Sequence, residues 1–282
     1  MTVAAPATLT TAEFHAAALA AVEGRQNPIA VFDCDGTLWS GDAGSGFMHW
    51  SIALGLLSPQ AIAWLDERYQ GYLAGKVDEL AICGQMVQVY RGLTEAAMRA
   101  AAAEFFSAEI ESRIFPELRA LIADLQSRSV EIWAVSSTSH WVIEEGVRHF
   151  NIPADRVLAA RVAIQDGIVT DTLLDVPTDE GKAASLARAG ITTPHAVFGN
   201  SIHDAAMLDI ARGADDMRSV ERNGREQDRI CGAFPVNPTP ALISLAAARR
   251  WPIYYPASVA PASGHAPEPV GGEPTLTPEP RG

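Results

Sequence analysis

The chain has 282 residues, 48% of them hydrophobic and 20% charged, which is enough apolar material for a sizeable core and excludes wholesale disorder or a disulfide scaffold. Its formal net charge of −13 repels phosphate-rich polymers, so nucleic acid is not an expected partner. No apolar run reaches the ~18 residues of a membrane span, the first residues lack the basic and apolar segments of a secretory leader, and Cys34, Cys83 and Cys231 show no CxxC spacing; a cytoplasmic protein with reduced thiols and no membrane contact is expected.

In chain order, Thr10–Thr11–Ala12–Glu13 has the form of a capping box opening a helix that stops at Gly24. Residues 29–33 (IAVFD) form a short apolar run suited to a buried parallel strand. Residues 42–113 then break the pattern, with no convincing strand and four predicted helices over 47–57, 59–74, 77–90 and 95–110. Strand–helix alternation resumes with a helix over 116–126, a strand over 130–136, a helix over 139–150 and a strand pair over 157–170 that turns at Asp166–Gly167. A helix over 180–189, a strand over 195–200, a helix over 204–211, a strand over 234–236 and a helix over 239–249 complete it. The expected fold is α/β, a Rossmann-like parallel sheet with helices on both faces. Its core is discontinuous, residues 1–41 and 114–255, with an all-helical cap inserted over 42–113. Residues 256–282, rich in Pro, Gly, Ala and Glu, are expected to be a disordered tail. The charged stretch 213–232 yields no structural expectation.

Parallel strands deliver their C-terminal ends to one crevice, where ligands bind. The first strand brings Asp33, Asp35 and Thr37; the second brings Ser136 and Ser137; Lys182 follows Gly181 at a helix start; the later strand brings Asn200, His203 and Asp204. Singly these residues have ordinary explanations, such as an Asp–Gly turn, a helix cap or a solvated lysine. Their order at successive strand ends is far more specific.

These residues resemble the haloacid dehalogenase superfamily of phosphohydrolases, in particular its phosphoserine-phosphatase-like branch with a helical cap. DCDGTL (33–38), Ser136, Lys182 in DEGK, and GNSIHD (199–204) correspond to the family's four motifs in order, over residues 28–251. The resemblance implies a Mg²⁺-dependent phosphatase acting on a small-molecule phosphomonoester. In that reading Asp33 is the nucleophile, forming an aspartyl-phosphate, and Asp35 is the general acid and base. Thr37, Ser136, Ser137 and Lys182 bind the phosphoryl group. Asp33, the Asp35 carbonyl, Asn200 and Asp204 hold the metal. Asp35 favours phosphate chemistry over dehalogenation, because halide needs no acid to leave.

Two departures stand out. The fourth motif usually opens with aspartate and here has Asn200: metal affinity is lower, or Asp204 makes the contact, or catalysis is lost. His203 stands where asparagine is usual, as a substrate contact or a helix-start polar residue. Asp42 occupies the place of the branch's substrate-binding glutamate. Met86 occupies that of the arginine that would hold a substrate carboxylate, so phosphoserine is not the expected substrate. Trp50, Trp64, Tyr69, Tyr72 and Tyr90 are either cap core or a cation-binding cage. A phosphotransferase or mutase, or a non-catalytic phospholigand-binding protein, remains an alternative. The sequence leaves the oligomeric state open.

Overall fold

The structure is a computed structural model that describes residues 4–212 and 231–259. Its elements, in order, are β1 (Thr8–Leu9), α1 (Thr11–Val22), β2 (Ile29–Phe32), α2 (Ala43–Ala53), α3 (Pro59–Leu73), α4 (Glu79–Gln88), α5 (Glu95–Phe105), α6 (Pro116–Ser127), β3 (Glu131–Ser139) and α7 (His140–Val147). They continue with β4 (Val157–Gln165), β5 (Ile168–Asp175), α8 (Glu180–Arg188), β6 (Ala196–Gly199), α9 (Ala205–Asp209), β7 (Ala233–Pro235), α10 (Pro240–Arg249) and β8 (Ile253–Tyr254). The main sheet has the order β5-β4-β3-β2-β6-β7 and is parallel except for the β4–β5 hairpin.

The central strands are short apolar runs because both their faces are covered. Ala30 and Phe32 of β2 enter one buried cluster while Val31 enters the other, and β6 divides Ala196 and Phe198 from Val197 in the same way. Phe32 and Phe198 stack with ring centroids 4.2 Å apart, and Phe198 stacks on Phe234 at 5.0 Å. Truncating such a ring costs roughly 3–5 kcal/mol. In α6, Leu118, Leu121, Ile122 and Leu125 are all buried, at the spacing of one helical face.

The chain leaves the core after Ser40, whose amide donates to the Arg113 carbonyl (3.1 Å), and returns where the Phe115 amide donates to Leu38 (3.0 Å). Between these crossings α2–α5 form the cap, followed by a π-helical turn, Phe106–Ile110, and no strand element occurs in the interval. The α4–α5 connection is tied to the tip of the β4–β5 hairpin. Gly92 N donates to Val169 O (2.9 Å), Val169 N to Leu93 O (2.9 Å) and Glu95 N to Gly167 O (2.8 Å).

Several boundaries differ from the sequence expectation. The helix expected from 47 begins at Ala43, because the Asp42 side chain accepts from the Gly44 and Ser45 amides and offsets the low helix propensity of the glycines. The helix expected from 77 begins at Glu79, capped by Asp78. β3 runs on through Ser139, with a register shift against β4 between Ser136 and Ser139. Residues 204–211 divide into a 3-10 turn, Ile202–Asp204, and the short α9. β1 and β8 pair in parallel and were not expected at all. Of the expected tail, residues 256–259 are ordered: Ala257 N donates to Glu117 (2.9 Å) and Val259 packs on the core. The rest of that tail, and residues 213–230, lie outside the described residues.

Candidate active site

The four strand-end segments converge on one cavity of about 240 Å³ between the core and the cap. Asp33 follows β2 directly, and its amide still donates to Phe198 O (2.9 Å). The chain then turns away from strand geometry, with Gly36 at φ +75°. A Cβ on Gly36 would lie 1.8 Å from Asn200 Nδ2, so only glycine lets the first and fourth segments meet this closely. Gly44 plays a similar part at the neck of the cap, where a Cβ would sit 2.7 Å from Thr138 Oγ1.

Lys182 extends from the first turn of α8 and is 3% exposed. Its Nζ lies 2.7 Å from Asp33 Oδ1 and 2.5 Å from Asp204 Oδ1. Burial opposes the ammonium charge, but Asp204 and Asp33 outweigh it and hold the group above the usual lysine range. Asp33 Oδ2 accepts from the Thr37 hydroxyl at 2.8 Å. Burial and the nearby Asp204 raise the Asp33 carboxyl to about 6, against the opposing pull of Lys182 and Thr37.

Asp204 is fully buried, and its other oxygen accepts from the amides of Asn200 and Ser201, both at 2.9 Å. Both its oxygens are engaged within the protein, as those of Asp33 also are, but unlike Asp33 it does not line the cavity. The sequence expectation placed Asp204 among the metal ligands; its geometry is that of an anchor for Lys182 and for the loop after β6.

Asp35 remains partly open to the cavity. Its Oδ1 accepts from Trp39 Nε1 (2.7 Å) and the Ala43 amide (2.8 Å), and its Oδ2 from Thr138 Oγ1 (2.7 Å). Burial and the charge of Asp42 raise it to about 7, although these three donors pull the other way. Ser136 is buried, with its hydroxyl accepting from the Thr138 amide (3.1 Å). Ser137 faces the cavity.

Not all of the remaining expected residues are at the cavity. Asp42 lies at its exposed rim, and both its oxygens are used within the first turn of α2, by the Gly44 and Ser45 amides and the Ser45 hydroxyl. His203 lines the core side and pairs through Nδ1 with Asp179 at 2.7 Å. Met86 lines the cap side, whereas Arg68 turns to Gln85 (2.9 Å) and Arg91 to Asp171 (2.8 Å) at the surface. Tyr69, Tyr72 and Tyr90 line the cavity; Trp50 packs near Phe105 and Trp64 is largely exposed. Sequence reasoning missed Trp39 and Thr138 as partners of Asp35. It also missed Glu79 and Cys83, four residues apart on α4, which line the cap side.

Among the described residues no group of three or more His, Cys, Asp or Glu is arranged to hold a metal ion. Asp33, Asp35 and Asn200 line the cavity, and between them they can offer donors of another kind: a carboxylate, a main-chain carbonyl and an amide oxygen. Hard oxygens with a single carboxylate fit Mg²⁺, which is commonly held by one or two carboxylates with water and substrate phosphate filling the rest.

A search of curated protein sequences found no match. Among solved structures, a protein of unknown function from Bordetella pertussis Tohama I is 18% identical, with 82% of this chain and 99% of that one covered and a TM-score of 0.65. An HAD family hydrolase from Salmonella enterica serovar Typhi is 19% identical over 78% of this chain and 65% of that one, at a TM-score of 0.53. A substrate-bound phosphoserine phosphatase complex is 14% identical over 82% of this chain and 93% of that one, at 0.50. At these identities the likeness is one of fold. The profile of the haloacid dehalogenase-like hydrolases matches residues 30–209, which run from β2 through the cap and all four strand-end segments, and the chain belongs to that family.

Proposed function

We propose that the protein is a Mg²⁺-dependent phosphatase that hydrolyses a small phosphomonoester through an aspartyl-phosphate on Asp33. The observation that carries this reading is the buried Asp33–Lys182–Asp204 array opening onto a cavity that also holds Asp35.

A phosphomonoester dianion approaching a carboxylate is repelled unless positive charge offsets it. Lys182 supplies a fixed cation, held by Asp204 so that no reorganisation is needed as charge shifts toward phosphorus. Asp33, the Asp35 carbonyl and Asn200 would hold Mg²⁺, which when bound neutralises charge on the phosphoryl oxygens. Ser136 and Ser137 supply further donors for those oxygens, while Thr37, whose hydroxyl donates to Asp33 Oδ2, orients the nucleophile.

With a pKa near 6, Asp33 is largely ionised at neutral pH and able to attack. An Asp33 oxygen forms the bond to phosphorus while the bond from phosphorus to the alcohol oxygen breaks. Asp35, near 7, still carries its proton in a good share of molecules and delivers it to the departing alkoxide. The Asp35 carboxylate then takes a proton from water as that water attacks the phosphorus of the aspartyl-phosphate, releasing phosphate and restoring Asp33. Asp204 acts by positioning Lys182.

The test is phosphate release from a panel of small phosphomonoesters, with and without Mg²⁺, for the wild type and Asp33→Asn. Turnover that needs both Mg²⁺ and Asp33 supports the reading. Equal turnover by the variant removes Asp33 from the mechanism. Phosphate passing to an added alcohol faster than to water marks a transferase, and tight phospholigand binding without turnover marks a binding protein.

A further inference from the structure

The cavity has two chemically different ends. The core end carries Lys182, the only lysine or arginine lining it among the described residues. The cap end is acidic and aromatic: Glu79 and Asp42 stand with Tyr69, Tyr72, Phe47 and Met86, and no cap cation reaches it. Glu79 is the informative residue. Its Oε1 accepts from Cys83 Sγ at 3.6 Å and the Tyr72 hydroxyl stands beside the carboxylate, while Oε2 makes no hydrogen bond of good geometry. A buried acceptor left without a donor costs ~1–3 kcal/mol, so a donor brought to this end of the cavity by a ligand, with a small turn of the Glu79 side chain that lines it, would be stabilising. At about 240 Å³ the cavity falls below the ~300 Å³ at which drug-sized ligand sites begin, and it admits only a small leaving group.

We infer that the substrate is the phosphate monoester of a small primary amino alcohol, its ammonium group donating to Glu79 while its phosphoryl group meets Lys182. This inference rests on the phosphatase reading above and deepens it. An ammonium N–H donates to Glu79 and adds Coulomb attraction to Glu79 and Asp42, at an end of the cavity that Tyr69 and Tyr72 also line. A trimethylated nitrogen keeps the charge but has no hydrogen to donate. A substrate carboxylate would face Glu79 and Asp42 with no lysine or arginine on the cap side of the lining, among the described residues, to offset it, which weighs against phosphoserine although it too carries an ammonium.

The experiment measures kcat/KM with Mg²⁺ for phosphoethanolamine, phosphocholine, O-phosphoserine, glycerol 3-phosphate and p-nitrophenyl phosphate. Phosphoethanolamine should exceed each of the other three metabolites by at least tenfold. Glu79→Gln should lower the phosphoethanolamine to p-nitrophenyl phosphate ratio at least tenfold. Met86→Arg, a test that does not depend on the Glu79 variant folding, should shift preference toward O-phosphoserine. Asp33-dependent hydrolysis of p-nitrophenyl phosphate without a preference for phosphoethanolamine, or with phosphoserine or phosphocholine preferred, overturns this inference and leaves the phosphatase reading standing. Failure to hydrolyse any of the five overturns both.

Discussion

Replacing Lys182 by methionine keeps most of the side-chain volume and removes the charge that two buried carboxylates share. In the wild type Nζ lies 2.7 Å from Asp33 and 2.5 Å from Asp204, and all three side chains are nearly inaccessible. Removing one partner of a buried ion pair costs about 3–5 kcal/mol. The cheapest escape is to protonate a carboxyl. From an unfolded pKa of ~3.9 at ~1.4 kcal/mol per unit, that costs about 4 kcal/mol at pH 7 and about 1.5 at pH 5. The sign follows from linkage: the variant's folded state binds a proton that its unfolded state has lost, so its stability falls as pH rises above ~4. Urea unfolding of both proteins at pH 7 and pH 5 is the assay. The expected penalty is about 4 kcal/mol at pH 7, roughly a 10 °C drop in Tm, shrinking by only about 1.3 kcal/mol at pH 5, because wild-type Asp33, near 6, also takes up a proton over that range. Adding Asp204→Asn should recover part of the stability and none of the turnover. A Lys182→Met protein within ~1 kcal/mol of wild type at both pH values would show that the array is not a buried charge cluster.

Turnover should follow a bell-shaped pH profile, rising as Asp33 ionises near 6 and falling as Asp35 loses its proton near 7; Asp35→Asn should lower kcat by about 10²–10⁴ and remove the alkaline limb. An alkaline limb that survives in that variant would assign the acid elsewhere. Gly36→Ala, strained at φ +75° and driven into Asn200, should lose about 1–3 kcal/mol in urea unfolding together with most of the activity; wild-type behaviour would mean that the turn relaxes at little cost. Asn200→Asp should tighten Mg²⁺ on the order of tenfold by titration calorimetry, since it adds a carboxylate to a donor set with one; unchanged or weaker binding would place Asn200 outside that set.

How far the sequence could be read depends on where each signal is stored. Asp33, Lys182 and Asn200 sit at strand ends and helix starts, where local apolar runs, glycines and caps mark the position, and the structure brings them to one cavity. Glu79 and Cys83 carry no such mark, since which face of a cap helix looks inward is decided by how the cap docks. Met86 was legible only through the resemblance. Trp39 and Thr138 reach Asp35 from four residues on and from another strand, which no period encodes. Asp42 was read as a substrate contact. Asp42 lies at the rim of the cavity, but its oxygens cap α2, a competing use that the same residue type serves equally well. β1 and β8, two residues each, are too short for alternation to register.

On the phosphatase reading proposed above, the tie between the α4–α5 connection and the β4–β5 hairpin bears on how the alcohol would be recognised. Three main-chain bonds, with Gln88 and Arg91 both reaching Asp171, fix the far end of α4 to the sheet edge, so that Glu79, Cys83 and Met86 stand on a braced template. The entropy of assembling that wall is spent once, during folding, rather than at every catalytic cycle. Discrimination among alcohols is in this sense prefabricated, and loosening the hairpin by a change near Val169, far from any reacting atom, would blur it.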